Sequence, residues 1–521
     1  MKALATCVAM LGAVSAAVGA DRAATLYEKP GPPAPAGKID ELIFARLKAK
    51  GIQPARLCSD AVFLRRVYLD LIGTLPTAQE ARAFLTETGR DRRARLIDRL
   101  MRREEFADYW AMRWGDVLRV KSEFPINLWP NAVQAYHRWL WTAVKEAMPY
   151  DRLARELLTS SGSNFRVPQV NFYRATQSSK PEALAKAAAL TFMGDRMGSW
   201  PEGRKAGLAV FFSRIGYKRT AEWKEEIVFF DRTTAAAASA VLPDGTVARL
   251  DPGRDPRAAF ADWLISPDNP RLARCLVNRI WFWLLGRGIV HEPDDFRPDN
   301  PPAHPDVLAL LARELVAGRY DVRGVMRLIL NSSTYQLSSI RRSRAPEAAA
   351  LFASYPLRRL DAEVLIDALC QITGTTEEYS SQVPEPFTWV PARQRTIALA
   401  DGSITSSFLD MFGRPARDTG MASERNNAPT AAQRLHLLNS SHVRNKIERG
   451  PKLRSLRFRA VRNLRKATVE LYLTVLSRYP TLEELKALKA HADASRGKRG
   501  ANVFADVAWA LVNSPEFLYR H

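Results

Sequence analysis

Two histidines and two aspartates near the middle of the chain have the types and spacing that could carry chemistry. His291, Asp294 and Asp295 are close neighbours, and His304 follows shortly after. Carboxylate and imidazole groups bind Ca²⁺, Zn²⁺ or Fe, and paired carboxylates can divide acid and base work. The catalytic candidates are Asp294, Asp295, His291 and Asn278, and the metal candidates are Asp294, Asp295 and His304.

A structural interpretation of the same residues stays open. Their spacing fits no recognised metal motif. Two aspartates before Phe296 suit a loop that accepts backbone N–H bonds, and His304 before Pro305 suits a helix start with proline at its first position.

The helical pattern just upstream contains aromatic and amide side chains of the kind that bind sugars. Arg279 and Trp281 follow Asn278 on one predicted helix, and Trp263 and Asn269 lie just before it. Aromatic faces stack on apolar surfaces and amides hydrogen-bond. Arg279 and Trp281 are therefore binding candidates, although a buried tryptophan-rich core would give the same pattern.

A second polar group lies further along the chain. Arg359 and Glu363 flank Asp361 at the start of an apolar helical pattern. They are binding candidates for an anion, or else they belong to an internal ion-pair network.

Charge points to an anionic partner. Among the 521 residues, Lys and Arg exceed Asp and Glu by 22, and the densest basic run is 449–466. Such an excess favours an acidic polysaccharide, a lipid surface or nucleic acid, whereas a solvated helix face is the simpler explanation. No nucleic-acid-binding module accompanies the run, so we predict no nucleic-acid partner.

The N-terminus predicts export. Lys2 precedes an apolar run, and small residues up to Ala20 form a cleavage site, so residues 1–20 read as a signal peptide. A Pro-rich tether, 21–38, follows. No later segment is long enough to span a membrane, so we expect an extracytoplasmic protein. Of the cysteines that remain after cleavage, Cys275 and Cys370 lie on apolar helical patterns and are expected to be small buried side chains.

Periodicity predicts a mainly α-helical, multi-helical protein of two packed helical domains. Apolar residues recur at helical spacing through most of the chain. Strands are expected only at 217–230 and 241–250, around a Pro-Asp-Gly turn. We place a first helical domain at 39–232, a β-containing linker at 233–254 and a second helical domain at 255–521.

An internal repeat links the two ends of the chain. The segment 68–80 aligns without gaps with 472–484, and each copy holds a Pro-Thr pair followed by a glutamate. Further on, each copy closes on Glu-Phe, at Glu105 and at Glu516. The repeat indicates a recurring helical unit that packs against its neighbours.

Motifs along nearly the whole chain resemble two domains of planctomycete secreted proteins. The motifs Arg-Val-Tyr-Leu-Asp-Leu-Ile-Gly at 66–73 and Trp-Gly-Asp at 114–116 resemble the cytochrome-associated domain, type two. The motifs Asn-Arg-Ile-Trp at 278–281, Asp-Asp-Phe at 294–296 and Phe-Gly-Arg-Pro at 412–415 resemble the secreted domain, type one. The resemblance implies a family without an established activity.

The chain departs from that family at two cysteine motifs. Many members carry C-x-x-C-H after a Thr-Phe-Leu-Gly-like stretch, whereas 191–202 here contain neither Cys nor His. Members also carry C-x-C-E-R where this chain has Met-Ala-Ser-Glu-Arg at 421–425. Covalent haem needs two thiols and an adjacent axial histidine. We therefore predict a haem-free branch with no cofactor.

Three functions stay open at this stage. The first is a non-catalytic binding or scaffold module for an anionic cell-surface or polysaccharide partner. The second is an extracytoplasmic hydrolase of polysaccharide or its substituents, and the third is a redox-system accessory protein without its own haem. G-x-S-x-G, H-E-x-x-H and phosphate-loop motifs are missing from the sequence.

Overall fold

The computed structural model of the protein describes residues 26–494 and 501–521. Helices dominate these residues, which confirms the mainly α fold. The predicted signal peptide, 1–20, lies outside the described residues. In chain order the helices are α1 (Lys38–Ala49), α2 (Asp60–Leu71), α3 (Ala78–Thr86), α4 (Arg92–Leu100), α5 (Glu104–Val117), α6 (Pro130–Lys145), α7 (Tyr150–Thr159), α8 (Asn171–Arg174), α9 (Pro181–Ala188), α10 (Glu202–Ala209), α11 (Pro256–Ile265), α12 (Pro270–Leu285), α13 (Pro305–Ala317), α14 (Val322–Asn331), α15 (Ala362–Thr373), α16 (Ser407–Met411), α17 (Ala431–Asn439), α18 (Ser441–Arg449), α19 (Pro451–Arg462), α20 (Leu464–Leu476), α21 (Leu482–Ala494), α22 (Ala501–Val512) and α23 (Pro515–Leu518).

Short antiparallel strands interrupt the helices. The strands are β1 (Gly162–Ser163), β2 (Ile215–Arg219), β3 (Glu226–Phe230), β4 (Ser239–Val241), β5 (Val247–Arg249), β6 (Arg358–Arg359) and β7 (Tyr519–Arg520). They form a sheet in the order β1–β3–β2, a β4–β5 hairpin and a β6–β7 pair. β2 and β3 lie largely in the predicted strand region 217–230, and the hairpin lies in the region 241–250 and just before it. β1 was not predicted as a strand. The β6–β7 pair was not predicted, because its partners are far apart in the sequence.

Helix ends follow the capping chemistry of the sequence. Thr77 and Glu80 form a capping box at the start of α3, with both hydrogen bonds present. The Asn269 side chain caps α12, and Pro270 occupies its first turn. Gly286 ends α12 with φ 73°, in the left-handed region that favours glycine. The helix that carries Asn278, Arg279 and Trp281 therefore has both ends fixed locally.

The predicted repeat is present in the structure. The α2–α3 and α20–α21 pairs are each joined through a Pro-Thr turn. In the second copy, Thr481 N donates to Glu484 Oε2 at 2.7 Å and Glu484 N donates to Thr481 Oγ1 at 3.1 Å. This arrangement matches the capping box of the first copy.

A second shared feature makes the two copies equivalent in packing. Arg103 lies 5.8 Å from the ring centroid of Tyr68, and Arg478 lies 5.4 Å from that of Tyr472. Each guanidinium pairs with the capping-box glutamate of its own copy, at 2.7 and 2.8 Å. Each also pairs with the glutamate of its Glu-Phe element. Each copy therefore has one arginine bound to two glutamates, an arrangement that similar helix composition alone does not produce.

The two predicted domains share one apolar core. Buried apolar side chains form a continuous cluster from Ile39 to Phe517, and Leu242 of the predicted linker belongs to it. Arg65 of α2 donates to the carbonyls of Val475 and Phe517, at 2.7 and 2.8 Å. The end of the chain thus returns to its first helices. Within the described ranges, no helix is long and apolar enough to cross a membrane.

A buried cluster of charges joins the two halves of the chain. Arg520 contacts Asp70 Oδ1 at 3.2 Å and Asp361 Oδ2 at 2.8 Å. Arg113 of α5 pairs with Asp361 at 2.5 Å, and Arg358 pairs with Asp70 at 3.1 Å. We call these five residues the Arg520 cluster. Its two carboxylates come from opposite halves of the sequence, and one arginine binds both.

Electrostatics keeps Asp361 of the cluster ionised. Burial by itself raises the pKa of the Asp361 carboxyl, but the attraction of Arg113 and Arg520 outweighs it and holds the pKa well below its ordinary value. Because this pKa is depressed in the folded state, the carboxylate stabilises the fold above its unfolded-state pKa. That stabilisation is lost as pH falls.

We predict that Asp361→Ala lowers the free energy of unfolding by about 3–5 kcal/mol, because it leaves the buried Arg113 guanidinium without its carboxylate and Arg520 with only one of two. Urea unfolding measures the change. The matched control is Glu41→Gln, which breaks an exposed i, i+3 pair with Lys38 and should change stability by less than about 0.5 kcal/mol. Equal effects for the two variants would contradict the role of the Arg520 cluster.

Candidate functional site

Asn278 uses its amide to hold the loop that follows α12. Its Nδ2 donates to the carbonyls of Val290 and Pro293, at 3.0 and 3.2 Å, and its Oδ1 accepts from Val290 N at 2.9 Å. The side chain is fully buried. Both ends of the amide are therefore engaged in shaping the segment that carries the two aspartates.

Arg279, the next residue, fixes Asp294. Its Nη2 donates to Asp294 Oδ1 at 2.7 Å, and its Nη1 donates to the Thr191 carbonyl at 2.9 Å. The second oxygen of Asp294 accepts from Ala422 N at 2.7 Å. Both charged side chains are buried. This contact, the Arg279–Asp294 pair, ties α12 to two segments that are remote in sequence.

Those two segments are the ones in which this chain lacks the cysteines of the family it resembles. Thr191 begins the stretch where many members continue into a haem-attachment motif. Ala422 occupies the place of the second cysteine-containing element. The structure brings both to the Arg279–Asp294 pair, a proximity that separate motif comparisons did not predict.

Asp295 and His291 lie beside this pair with different partners. Asp295 Oδ1 is 2.8 Å from Arg297 Nε, and Arg196 is 3.9 Å from its other oxygen. His291 is half-buried, and burial together with the nearby Arg287 guanidinium lowers its pKa. No hydrogen bond among the described residues joins His291 to either aspartate. The four catalytic candidates are thus neighbours in sequence without forming one hydrogen-bonded set.

His304 faces a different part of the molecule. It precedes Pro305 at the start of α13, as predicted, but its side chain does not cap the helix. Instead Nε2 lies 3.3 Å from the Leu351 carbonyl, and the ring packs against Phe352. Burial lowers the pKa of His304 to about 4. Across residues 26–494 and 501–521, no group of three or more ligating side chains could hold a metal ion, and the lack of a cofactor stays a prediction.

The four binding candidates lie in the interior. Trp281 is fully buried and packs edge-to-face on Phe352, with ring centroids 5.1 Å apart. Arg359 donates to the Phe412 carbonyl at 2.6 Å. Glu363 accepts two hydrogen bonds from Arg425. Arg279 lies in the pair described above. Arg359 and Glu363 thus belong to an internal polar network.

An open groove of about 450 Å³ lies at the N-terminal end of α12. Trp263, Arg271 and Arg274 line it together with Met193 and Phe296. The sequence pointed to Trp263 but not to Arg271 or Arg274. These arginines come close to Met193 only because of the way α12 packs, which the sequence does not show.

Beneath this groove lies a carboxylate with a shifted pKa. Asp195 Oδ2 is 3.4 Å from Arg271 Nη1. Burial raises the pKa of Asp195 to about 6 even though the arginine opposes that shift. The Trp263 indole N–H donates to Asp244 at 2.9 Å, so the groove carries charges of both signs.

The cysteines differ in burial. Cys275 is buried, as expected, whereas Cys370 is partly exposed and its Sγ accepts from Lys446 Nζ at 3.3 Å. The expectation of a buried Cys370 was wrong, because it lies in the last turn of α15 and faces the polar side of α18. The cysteines among the described residues are all free.

Basic side chains cover the outer faces of α19 and the start of α20. We call the following residues the cationic surface: Arg454, Arg457, Arg459, Arg462, Arg465 and Lys466. All are exposed except Arg457, which is half-buried. The run 449–466 contains no acidic residue, and no ion pair joins the cationic surface to a carboxylate in the described part of the chain. This surface is therefore an uncompensated positive region.

Two family models match the chain. PSCyt2, a protein of unknown function (DUF1549), matches residues 38–199, and PSD1, a protein of unknown function (DUF1553), matches residues 256–492. The chain belongs to the family of proteins that carry these two domains in this order, as its motifs predicted. No curated protein and no solved structure matches it. Family membership thus supplies no reaction, and function has to be argued from the molecule itself.

We predict that Asp294→Ala destabilises the protein by about 3–5 kcal/mol. The substitution leaves the buried Arg279 guanidinium without its carboxylate and removes the hydrogen-bond acceptor of Ala422 N. Denaturant unfolding gives the value. Asp299→Ala, in the same loop, removes an exposed carboxylate whose contact with Arg297 is 3.5 Å, and it should change stability by less than about 0.5 kcal/mol. A stable Asp294→Ala protein would show that this carboxylate is free for another role.

Proposed function

We propose that the protein is a non-catalytic binding module for an anionic polysaccharide or a similar anionic cell-surface polymer. The cationic surface carries this proposal. Some exposed arginines elsewhere, such as Arg152 and Arg254, pair with carboxylates, whereas no ion pair in the described part of the chain neutralises the cationic surface. A polymer with regularly spaced carboxylate or sulfate groups would supply the missing counter-charges along the length of α19.

Export is part of the proposal. It rests on the sequence of residues 1–20, and it would place the cationic surface opposite polymers outside the cytoplasm. Sequencing the N-terminus of the secreted protein tests it: a mature chain that begins at Asp21 supports export, and a chain that retains Lys2 contradicts it.

The hydrolytic alternative receives no comparable support. It requires Asp294 and Asn278 to act on a substrate, but their polar atoms already bind Arg279, Ala422 and backbone carbonyls. The redox-accessory alternative depends on the family resemblance alone.

We expect the protein to bind a heparin column and to elute as salt rises, because salt screens exposed charges. A triple variant, Arg454→Gln, Arg459→Gln and Arg462→Gln, should bind soluble heparin roughly tenfold to a hundredfold more weakly at 0.1 M salt. Isothermal titration measures the affinity. Exposed side chains are changed, so the unfolding midpoint should stay constant.

A second triple variant removes the same charge elsewhere. Arg152→Gln, Arg166→Gln and Arg254→Gln each remove an exposed cation that already has an acidic partner. This control should bind heparin nearly as well as the wild type. If both triple variants lose the same affinity, net charge alone governs binding and the cationic surface is not the site.

A further inference from the structure

Three loops on another part of the surface carry exposed or half-buried aromatic side chains, and one ring from each loop takes part in a shared contact. Trp129 lies just before α6, Trp223 lies in the β2–β3 turn, and Phe387 lies in the irregular excursion after α15. Trp223 is 65% exposed and Phe387 is 45% exposed. Phe124 and Trp389, on the same loops, are 80% and 65% exposed. We call these five residues the aromatic platform.

The rings at the centre of the aromatic platform support one another. Trp129 packs edge-to-face on Trp223 with ring centroids 6.3 Å apart, and it contacts Phe387 in a tilted arrangement with centroids 5.6 Å apart. The Lys224 ammonium lies 5.3 Å from the Trp129 ring and 5.5 Å from the Trp223 ring. Such contacts orient aromatic rings even at exposed sites. The rings are therefore held in place before any ligand arrives.

The backbone beneath the aromatic platform is strained. Trp129 has φ 72° and ψ 148°, a combination that glycine adopts and other residues avoid. Asn127 and Lys224 also have positive φ, at 59° and 62°. Strained residues persist where the surrounding structure over-determines them, and they cluster at functional sites.

Hydrogen bonds hold the turn that carries Trp223. The Glu225 carboxylate accepts from Thr220 Oγ1 at 2.7 Å and from Ser163 Oγ at 2.5 Å. Asn164 Oδ1 accepts from Glu226 N at 2.9 Å. The turn is thus fixed to β1, and Trp223 is presented from a rigid support.

We propose that the aromatic platform binds a polysaccharide by stacking its sugar rings. The C–H groups on one face of a pyranose carry partial positive charge and pack on the negative face of an aromatic ring. Every exposed large apolar side chain on these three loops is aromatic. The apolar contacts that these loops offer to solvent are therefore flat rings, which suit the flat apolar face of a pyranose.

This inference deepens the proposed function, since it gives sugar rings as the chemistry of the partner, but it does not need the cationic surface. Stacking requires no net charge on the ligand. Neutral polysaccharides at high salt therefore separate the two proposals, because salt screens the contribution of the cationic surface.

The test is sedimentation of the mature protein with three neutral insoluble polysaccharides, amorphous cellulose, chitin and mannan, in 1 M NaCl. We expect the wild type to bind at least one of them. The double variant Trp223→Ala, Trp389→Ala should bind that polymer at least about tenfold more weakly, from the loss of two ring contacts. Replacing both tryptophans by phenylalanine keeps the rings and should restore most of the binding.

Phe458→Ala is the matched control, since it removes an aromatic ring that is 65% exposed on the cationic surface. It should leave sedimentation unchanged, as should the arginine triple variant. The inference is overturned if none of the three polymers binds, or if the tryptophan double variant binds as well as the wild type. It is also overturned if the double variant loses binding to phosphatidylglycerol vesicles instead. Heparin affinity reports separately on the proposed function.

Discussion

A single buried arginine holds the architecture together. Arg520, the second-last residue, binds Asp70 from the first half of the chain and Asp361 from the second half. Removing such charges from water is costly, and the cost is offset only when every charge has a well-placed partner. Arg113 and Arg358 complete that requirement. Arg520 thus adds one guanidinium to both carboxylates and joins the C-terminal segment to both halves of the chain.

The same logic explains the polar residues around α12. Asn278 holds the following loop, and the Arg279–Asp294 pair joins that loop to the segments at Thr191 and Ala422. Motif residues of this kind look catalytic in a sequence because they are polar, closely spaced and surrounded by aromatic residues. In the structure they form hydrogen bonds with buried backbone groups, which would be costly to leave unpaired.

The two surfaces that we propose to bind a partner lie instead on the outside of the molecule. The cationic surface lacks carboxylate partners in the described part of the chain, and the aromatic platform presents rings that contact one another and leave faces exposed to solvent. The cationic surface would contribute long-range attraction that salt weakens. The aromatic platform would contribute short-range stacking that salt leaves intact. Together they fit a partner that is both charged and built from sugar rings, a combination that acidic polysaccharides provide.

The sequence by itself determined the helical class, the repeat, the capping boxes at Thr77 and Thr481 and the family, because these depend on short-range periodicity and local hydrogen bonds. It also located the basic run. Only the tertiary structure decided that Trp281 is buried against Phe352, since a helix that carries Trp, Asn and Arg can either bind a sugar or fill a core. It alone brought Arg520 to Asp70 and Trp129 to Phe387. Contacts between residues hundreds of positions apart depend on how helices pack, and local sequence patterns do not predict that packing.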